Sequence, residues 1–267
     1  MYLLALILSL PFRGHPGTGL TIAALAMVQA WNPFHVEYAG VWNMPAWTLS
    51  TEAFFYLFFP FVLPLLERWS SRVLKTLAVV TVLLIVLGHT MTHAIEPLTR
   101  RTLLPLPAFR FSEFFVGMLL GLIFLRGRRR QRPSLLPYAA VIAILVILAV
   151  VNGSWLSLLA VPFTVLIYEL AMGDSWLAQL LGNKVFLLLG GASYAIYLLQ
   201  EPVRSFVHFA ITGSTELNTT KGGIDTFLSP VVLVLFSIGV FLLWEEPMRK
   251  WLRSWFRKHS GRKLSSV

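Results

Sequence analysis

Long apolar runs separated by short polar breaks recur along this chain from end to end. Runs near the length that crosses hydrocarbon as a helix, about twenty residues, fall at 47–66, 75–92, 109–125, 134–151, 155–172, 185–205 and 227–244. A shorter one lies at 2–11, and the apolar stretch 18–31 reads as an interfacial or re-entrant helix because it is too short to cross. The pattern predicts an all-α fold: a polytopic transmembrane helix bundle of about 7–8 spans plus one short interfacial or re-entrant helix. No internal repeat and no low-complexity linker divides the chain. Residues 1–248 therefore read as one transmembrane domain and 249–267 as a basic tail. The opening MYLLALILSLP has no basic n-region and no small-residue cleavage site, so it does not read as a signal peptide. It reads as the later part of a helix whose beginning is absent.

Composition supports the membrane reading, since 57% of residues are hydrophobic and only 13% charged, too few to coat a soluble domain of 267 residues. There is no cysteine, which excludes disulfides, a thiolate nucleophile and Cys-ligated metal. A net charge of +10 would suit nucleic acid, but the cations sit in short breaks and a tail with few aromatics between them. That placement suits anionic lipid headgroups, and no nucleic-acid partner is expected. Lys and Arg mark the cytoplasmic side of a membrane. Sixteen of the 22, among them Arg68, Arg72, Lys75, five arginines in 126–132, Lys184 and seven in 249–263, fall on one parity of loops. Four, Arg13, Arg100, Arg101 and Lys221, fall on the other, and the remaining two lie inside apolar runs. The C-terminus is thus expected in the cytoplasm, with 12–46, 93–108, 152–154 and 212–226 outside.

Against this apolar background a few polar side chains stand out near the outer leaflet. Glu52 lies in WTLSTEAFFYLFFP with Tyr56 four residues on, so the two share a helix face. Arg110 and Glu113 open the 109–125 run, and Tyr197, Gln200, Glu201 and Arg204 form one stripe in 185–205. Ionisable groups inside a bilayer are costly and mark functional sites by default. For Arg110–Glu113 and Glu201–Arg204 the competing reading is an intrahelical ion pair that merely locks the bundle. Glu52 has no base three or four residues away on its own helix, so a substrate-contacting role is favoured there.

Weaker signals have simpler explanations. His89, His93 and Glu96 have metal-ligand spacing, but interfacial histidines account for them and no metal is expected. Asn152-Gly-Ser and Asn218-Thr-Thr match a glycosylation pattern that arises often by chance. Tryptophans near run ends, including Trp31, Trp42, Trp69, Trp155, Trp176 and Trp244, suit an interfacial belt.

The segment WTLSTEAFFYLFFP resembles the Trp…Leu-Ser-x-Glu…Tyr…Pro motif of the integral-membrane acyltransferases of acyltransferase family 3. FRFSEFFVGMLLG, LGGASYAIYLLQEPV and WEEPMRKWLR resemble further motifs of that family in the same order, so the resemblance spans essentially the whole chain. It implies transfer of an acyl group, often acetyl from acetyl-CoA or another acyl-CoA, to a hydroxyl of a carbohydrate acceptor, with no bound cofactor. It also implies a multi-pass protein of the cell membrane, in bacteria the inner membrane. Carried over by position, it marks Glu52 and Arg110 as catalytic. Trp47, Ser50, Tyr56, Glu113, Ser193, Tyr194, Tyr197, Gln200, Glu201 and Arg204 are the matching or adjoining substrate-binding candidates. Relatives begin with two further helices, which carry a histidine taken to be catalytic and an Arg-x-x-Arg thought to hold the CoA phosphates. His15 and His35 lie after that place, and Gln200 stands where many relatives have histidine. The expectation is an acyltransferase that works only when complete. A non-catalytic remnant and a transporter of an amphiphile are the alternatives, the latter lacking visible repeat symmetry.

Overall fold

The structure is a computed structural model, and it describes residues 1–99, 106–127, 134–151, 153–215 and 223–259. Among these the chain is helical throughout, with no strand. The helices are α1 (Tyr2–Arg13), α2 (Thr18–Leu25), α3 (Trp47–Glu67), α4 (Ser71–Thr99), α5 (Pro107–Arg126) and α6 (Leu136–Val150). Then follow α7 (Ala160–Met172), α8 (Trp176–Leu181), α9 (Lys184–Thr212), α10 (Ile224–Val240) and α11 (Glu246–His259). A π-helical segment, Phe241–Glu245, joins the last two.

Helices occur in every apolar run, but four are long and apolar enough to cross a membrane, fewer than the seven to eight expected. The reasons are local. α6 has 15 residues, about 22 Å at the helical rise, against a hydrocarbon core of about 30 Å. The run 155–172 starts as a 3₁₀ stretch, Gly153–Leu159, before α7 begins. α9 has the length, 29 residues, but Gln200, Glu201 and Arg204 dilute its apolarity. α2 spans eight residues and is too short to cross, in keeping with its sequence.

The chain divides into two compact units. The first comprises Met1–Pro16, Trp42–Ala46 and Lys184–Val267. Here α9 packs against both α1 and α10, with Phe12 edge-on to Phe206 at 4.8 Å between ring centres. Pro202 lies inside α9, fully buried, and having no N–H it leaves the Leu198 carbonyl without its helical donor. Asn43 repairs this: its Nδ2 donates to that carbonyl at 2.9 Å. The short segment Trp42–Ala46 is thereby pinned to the proline site of α9.

The second unit comprises Gly17–Val41 and Trp47–Asn183. Its core is a stripe on α4 (Leu74, Ala78, Val82, Ile85) meeting one on α5 (Val116, Leu119, Leu122, Ile123), both at helical spacing. α3 and α5 run parallel and are joined at both ends. At their starts the Arg110 guanidinium lies over the Trp47 ring, 5.6 Å from its centre. At their ends Arg126 donates to the Trp69 and Glu67 carbonyls at 2.5 and 2.6 Å, satisfying the last carbonyl of α3 and one in the turn that follows it. Between these clamps Phe55 stacks on Phe114 at 4.9 Å, with Phe111 edge-on to Phe55 and Phe58.

The proline repair gives a direct test. Asn43→Ala is expected to destabilise the protein by about 1–3 kcal/mol, the cost of a stranded buried carbonyl. Adding Pro202→Ala restores an N–H for Leu198, so the double variant should unfold in detergent at a higher temperature than Asn43→Ala alone. A double variant no better than the single would show that Asn43 acts some other way.

Candidate functional site

Within the second unit the candidate residues gather around the first two turns of α3 and α5. Ser50 is fully buried. Its hydroxyl accepts from the Ala30 N–H at 3.1 Å, while its carbonyl accepts from Trp31 Nε1–H at 2.7 Å. Ser50 thus ties the chain that follows α2 to the first turn of α3, a positioning duty that its place in the motif did not reveal. Trp31 in turn sets its ring edge-on to Phe54 at 5.4 Å. With that face of α3 occupied and Phe55 turned to α5, Glu52 and Tyr56 are left together on a third face, and both are exposed.

The motif proline adds to this face. Pro60, four residues after Tyr56, cannot donate to the Tyr56 carbonyl, so that oxygen lacks its helical partner. A carboxylate and a phenol therefore share one face of a mostly apolar helix, with a carbonyl that lacks its i+4 donor at the level of the phenol. Beside the N-terminus of α5, Arg110 bonds Glu113 at 2.5 Å and stacks over Trp47, forming the ion pair that the spacing implied. The planar guanidinium is held on its face by the indole and at its edge by the carboxylate.

Glu113 also sits at the edge of a mostly apolar cavity of about 930 Å³ between α5 and α7. Gly117, Gly121, Ser157, Thr164 and Tyr168 help line it. A Cβ at either glycine would meet no atom within 4 Å, so the two glycines leave the α5 wall open.

In the first unit α9 presents Ser193, Tyr197, Gln200 and Arg204 along one exposed stripe, with Tyr194 half-exposed to its side. The Ser193 hydroxyl donates back to the Gly190 carbonyl at 2.7 Å. Glu201 departs from the expected pairing with Arg204. It takes the Arg13 guanidinium from α1 instead, and its other oxygen accepts from the Met44 N–H at 2.6 Å. The side chain is 17% exposed and spans three segments of its unit, which an intrahelical pair would not do.

Sequence reasoning also passed over His208, whose Nδ1 lies 2.7 Å from Asp225 Oδ2 between α9 and α10. Only proximity in the fold reveals it, since the two are 17 residues apart. No cluster of three or more metal-ligating side chains occurs among the described residues. The side chains of His89, His93 and Glu96, residues 128–133, Asn152, and the segment containing Asn218 and Lys221 lie outside the described residues.

A family model described as an acyltransferase domain matches residues 1–244. The chain belongs to acyltransferase family 3. No curated protein and no solved structure matches it. The family match takes in α1 to α10 and most of the π-helical segment, and so both compact units contribute to one acyltransferase domain. With its apolar helices, the acyltransferase is a membrane protein.

The Trp47–Arg110 contact can be measured by a double-variant cycle. Trp47→Leu and Arg110→Lys should couple by about 0.5–2 kcal/mol in detergent unfolding, as a stacked and partly desolvated guanidinium does. Additive losses would show that the stacking contributes nothing.

Proposed function

We propose that this acyltransferase moves an acyl group, in the simplest case acetyl, from acyl-CoA to a hydroxyl of a carbohydrate acceptor such as a surface glycan or a lipid-linked sugar. The observation that supports it most is the exposed Glu52 carboxylate on the apolar helix α3, in a chain that belongs to an acyltransferase family. Transfer requires the acceptor oxygen to form a bond to the thioester carbonyl carbon while the carbon–sulfur bond breaks. The hydroxyl proton must leave and the CoA sulfur must gain one. Glu52 accepts or orients that hydroxyl proton, and the Tyr56 phenol holds the sugar beside it. Arg110, fixed by Trp47 and Glu113, supplies positive charge to the carbonyl oxygen as it becomes anionic.

On α9, Ser193, Tyr194, Tyr197, Gln200 and Arg204 offer hydroxyls, an amide and aromatic faces to the acceptor or the donor. Glu201 keeps that helix in place through Arg13. Ser50 supports the site by fixing the first turn of α3. The apolar cavity beside Glu113 takes the hydrocarbon part of whichever substrate has one. Residues 1–248 form the acyltransferase-like membrane domain and 249–267 the basic tail. The short helices α1, α6 and α7, by thinning the bilayer locally, and the long α9, by tilting, complete a bundle of seven to eight crossings. The excess of Lys and Arg on one parity of loops favours a cytoplasmic C-terminus in a bacterial inner membrane.

Glu52→Gln removes the charge and keeps the shape of an exposed side chain, so the variant should fold as the parent does. Transfer of labelled acetyl from acetyl-CoA to glycan in native membranes is expected to fall at least about 100-fold, the lower range for loss of a general acid–base group. Transfer at the parent rate would remove Glu52 from the mechanism.

A further inference from the structure

The helical run that starts at Ile224 continues to Lys258, 35 residues, or about 52 Å at the helical rise. A hydrocarbon core is about 30 Å thick, so the last third of this run lies beyond it. That last third is α11, and it is not the uniformly polar helix that water would favour. Met248, Trp251, Leu252, Trp255 and Phe256 recur at i, i+3, i+4, i+7 and i+8 and form a single apolar arc. All five are exposed, from 40% at Leu252 to 60% at Phe256. Arg249 and Lys258 border the arc on its two edges, Arg253 lies next to Arg249, and Lys250 and Arg257 lie on the opposite face.

The acidic group of α11, Glu246, is placed in the first turn and lies 3.2 Å from Lys250 and 3.9 Å from Arg249. The remaining cations make no ion pair among the described residues. From these observations we infer that α11 is a lipid-surface helix that docks on anionic phospholipid headgroups. Its aromatic arc sinks into the headgroup–acyl boundary, and the cations nearest the arc, Arg249, Arg253 and Lys258, meet phosphate and carboxylate charge.

Three features favour this occupant. The aromatic and basic residues alternate in helical register, so burying the arc brings both flanking rows of cations to the headgroup plane together. A second copy of α11 would bring five more cations against the first five. The bilayer is also held next to α11 by the span that precedes it, which gives the surface a high effective concentration. The π-helical segment Phe241–Glu245 stands at the junction, and π turns are where helices change direction sharply. Its first residue is fixed: Phe241 is buried against Gly191, where a Cβ would come within 2.5 Å of the ring. The helix can therefore turn after Phe241 without moving α10.

The chain has no cysteine, so one can be introduced at a time into the full-length protein and spin-labelled. Leu252→Cys reports the apolar arc and Lys250→Cys the opposite face. In phosphatidylcholine nanodiscs containing phosphatidylglycerol, the label at 252 should collide with dissolved oxygen and be shielded from an aqueous nickel chelate. The label at 250 should behave in the opposite way. Arg253→Gln and Lys258→Gln should each lower the docked-to-undocked ratio about fivefold, and raised salt should act in the same direction. A label at 252 as open to the chelate in anionic as in neutral nanodiscs would overturn the proposal. So would a label at 252 shielded from the chelate and from dissolved oxygen alike, which would mean a protein partner.

Discussion

Hydrocarbon offers no hydrogen bonds, so every backbone donor and acceptor placed in it needs a partner from the protein itself. This constraint organises what is most specific in the structure. Pro202 breaks it at Leu198, and Asn43, from a segment far away in sequence, restores it. At the water-facing end of α3 and just past it, Arg126 serves the Glu67 and Trp69 carbonyls in the same way. Ser50 provides for a loop amide and an indole at once. Each repair also fixes one element on another, so the satisfaction of orphan groups and the positioning of the candidate site are one and the same process.

The same constraint separates Glu201 from Glu52. Glu201 is spent on Arg13 and the Met44 amide and holds three segments in place. Glu52 stays on an exposed face beside Tyr56, whose carbonyl is denied its i+4 donor by Pro60. Proline thus plays opposite parts on α9 and α3. On α9 its orphan carbonyl is closed off by protein, and on α3 the corresponding oxygen belongs to the face that carries Glu52.

Periodicity made the helices and their polar stripes legible. The Glu52–Tyr56 face, the Arg110–Glu113 pair and the exposed row on α9 all follow from spacing within one helix. What spacing could not supply were partners across large separations, such as Arg13 for Glu201 and Asn43 for Leu198, 188 and 155 residues apart. Pro202 announced that a donor was needed but not which residue would provide it. Ser50 looked like a substrate contact because motif position and chemical type are visible in a sequence, whereas complete burial is not. The run 155–172 hid its 3₁₀ beginning for a related reason, since apolarity does not distinguish a tight turn from an α-helix.

The clamps at the two ends of α3 and α5 have a mechanical consequence. Sliding one helix along the other would have to break the indole–guanidinium contact at one end and two charged hydrogen bonds at the other in the same step. The stacked phenylalanines between them would have to leave their pockets as well. α3 and α5 therefore behave as a double strut of fixed register, with Glu52, Tyr56 and Arg110 as marks on a ruler.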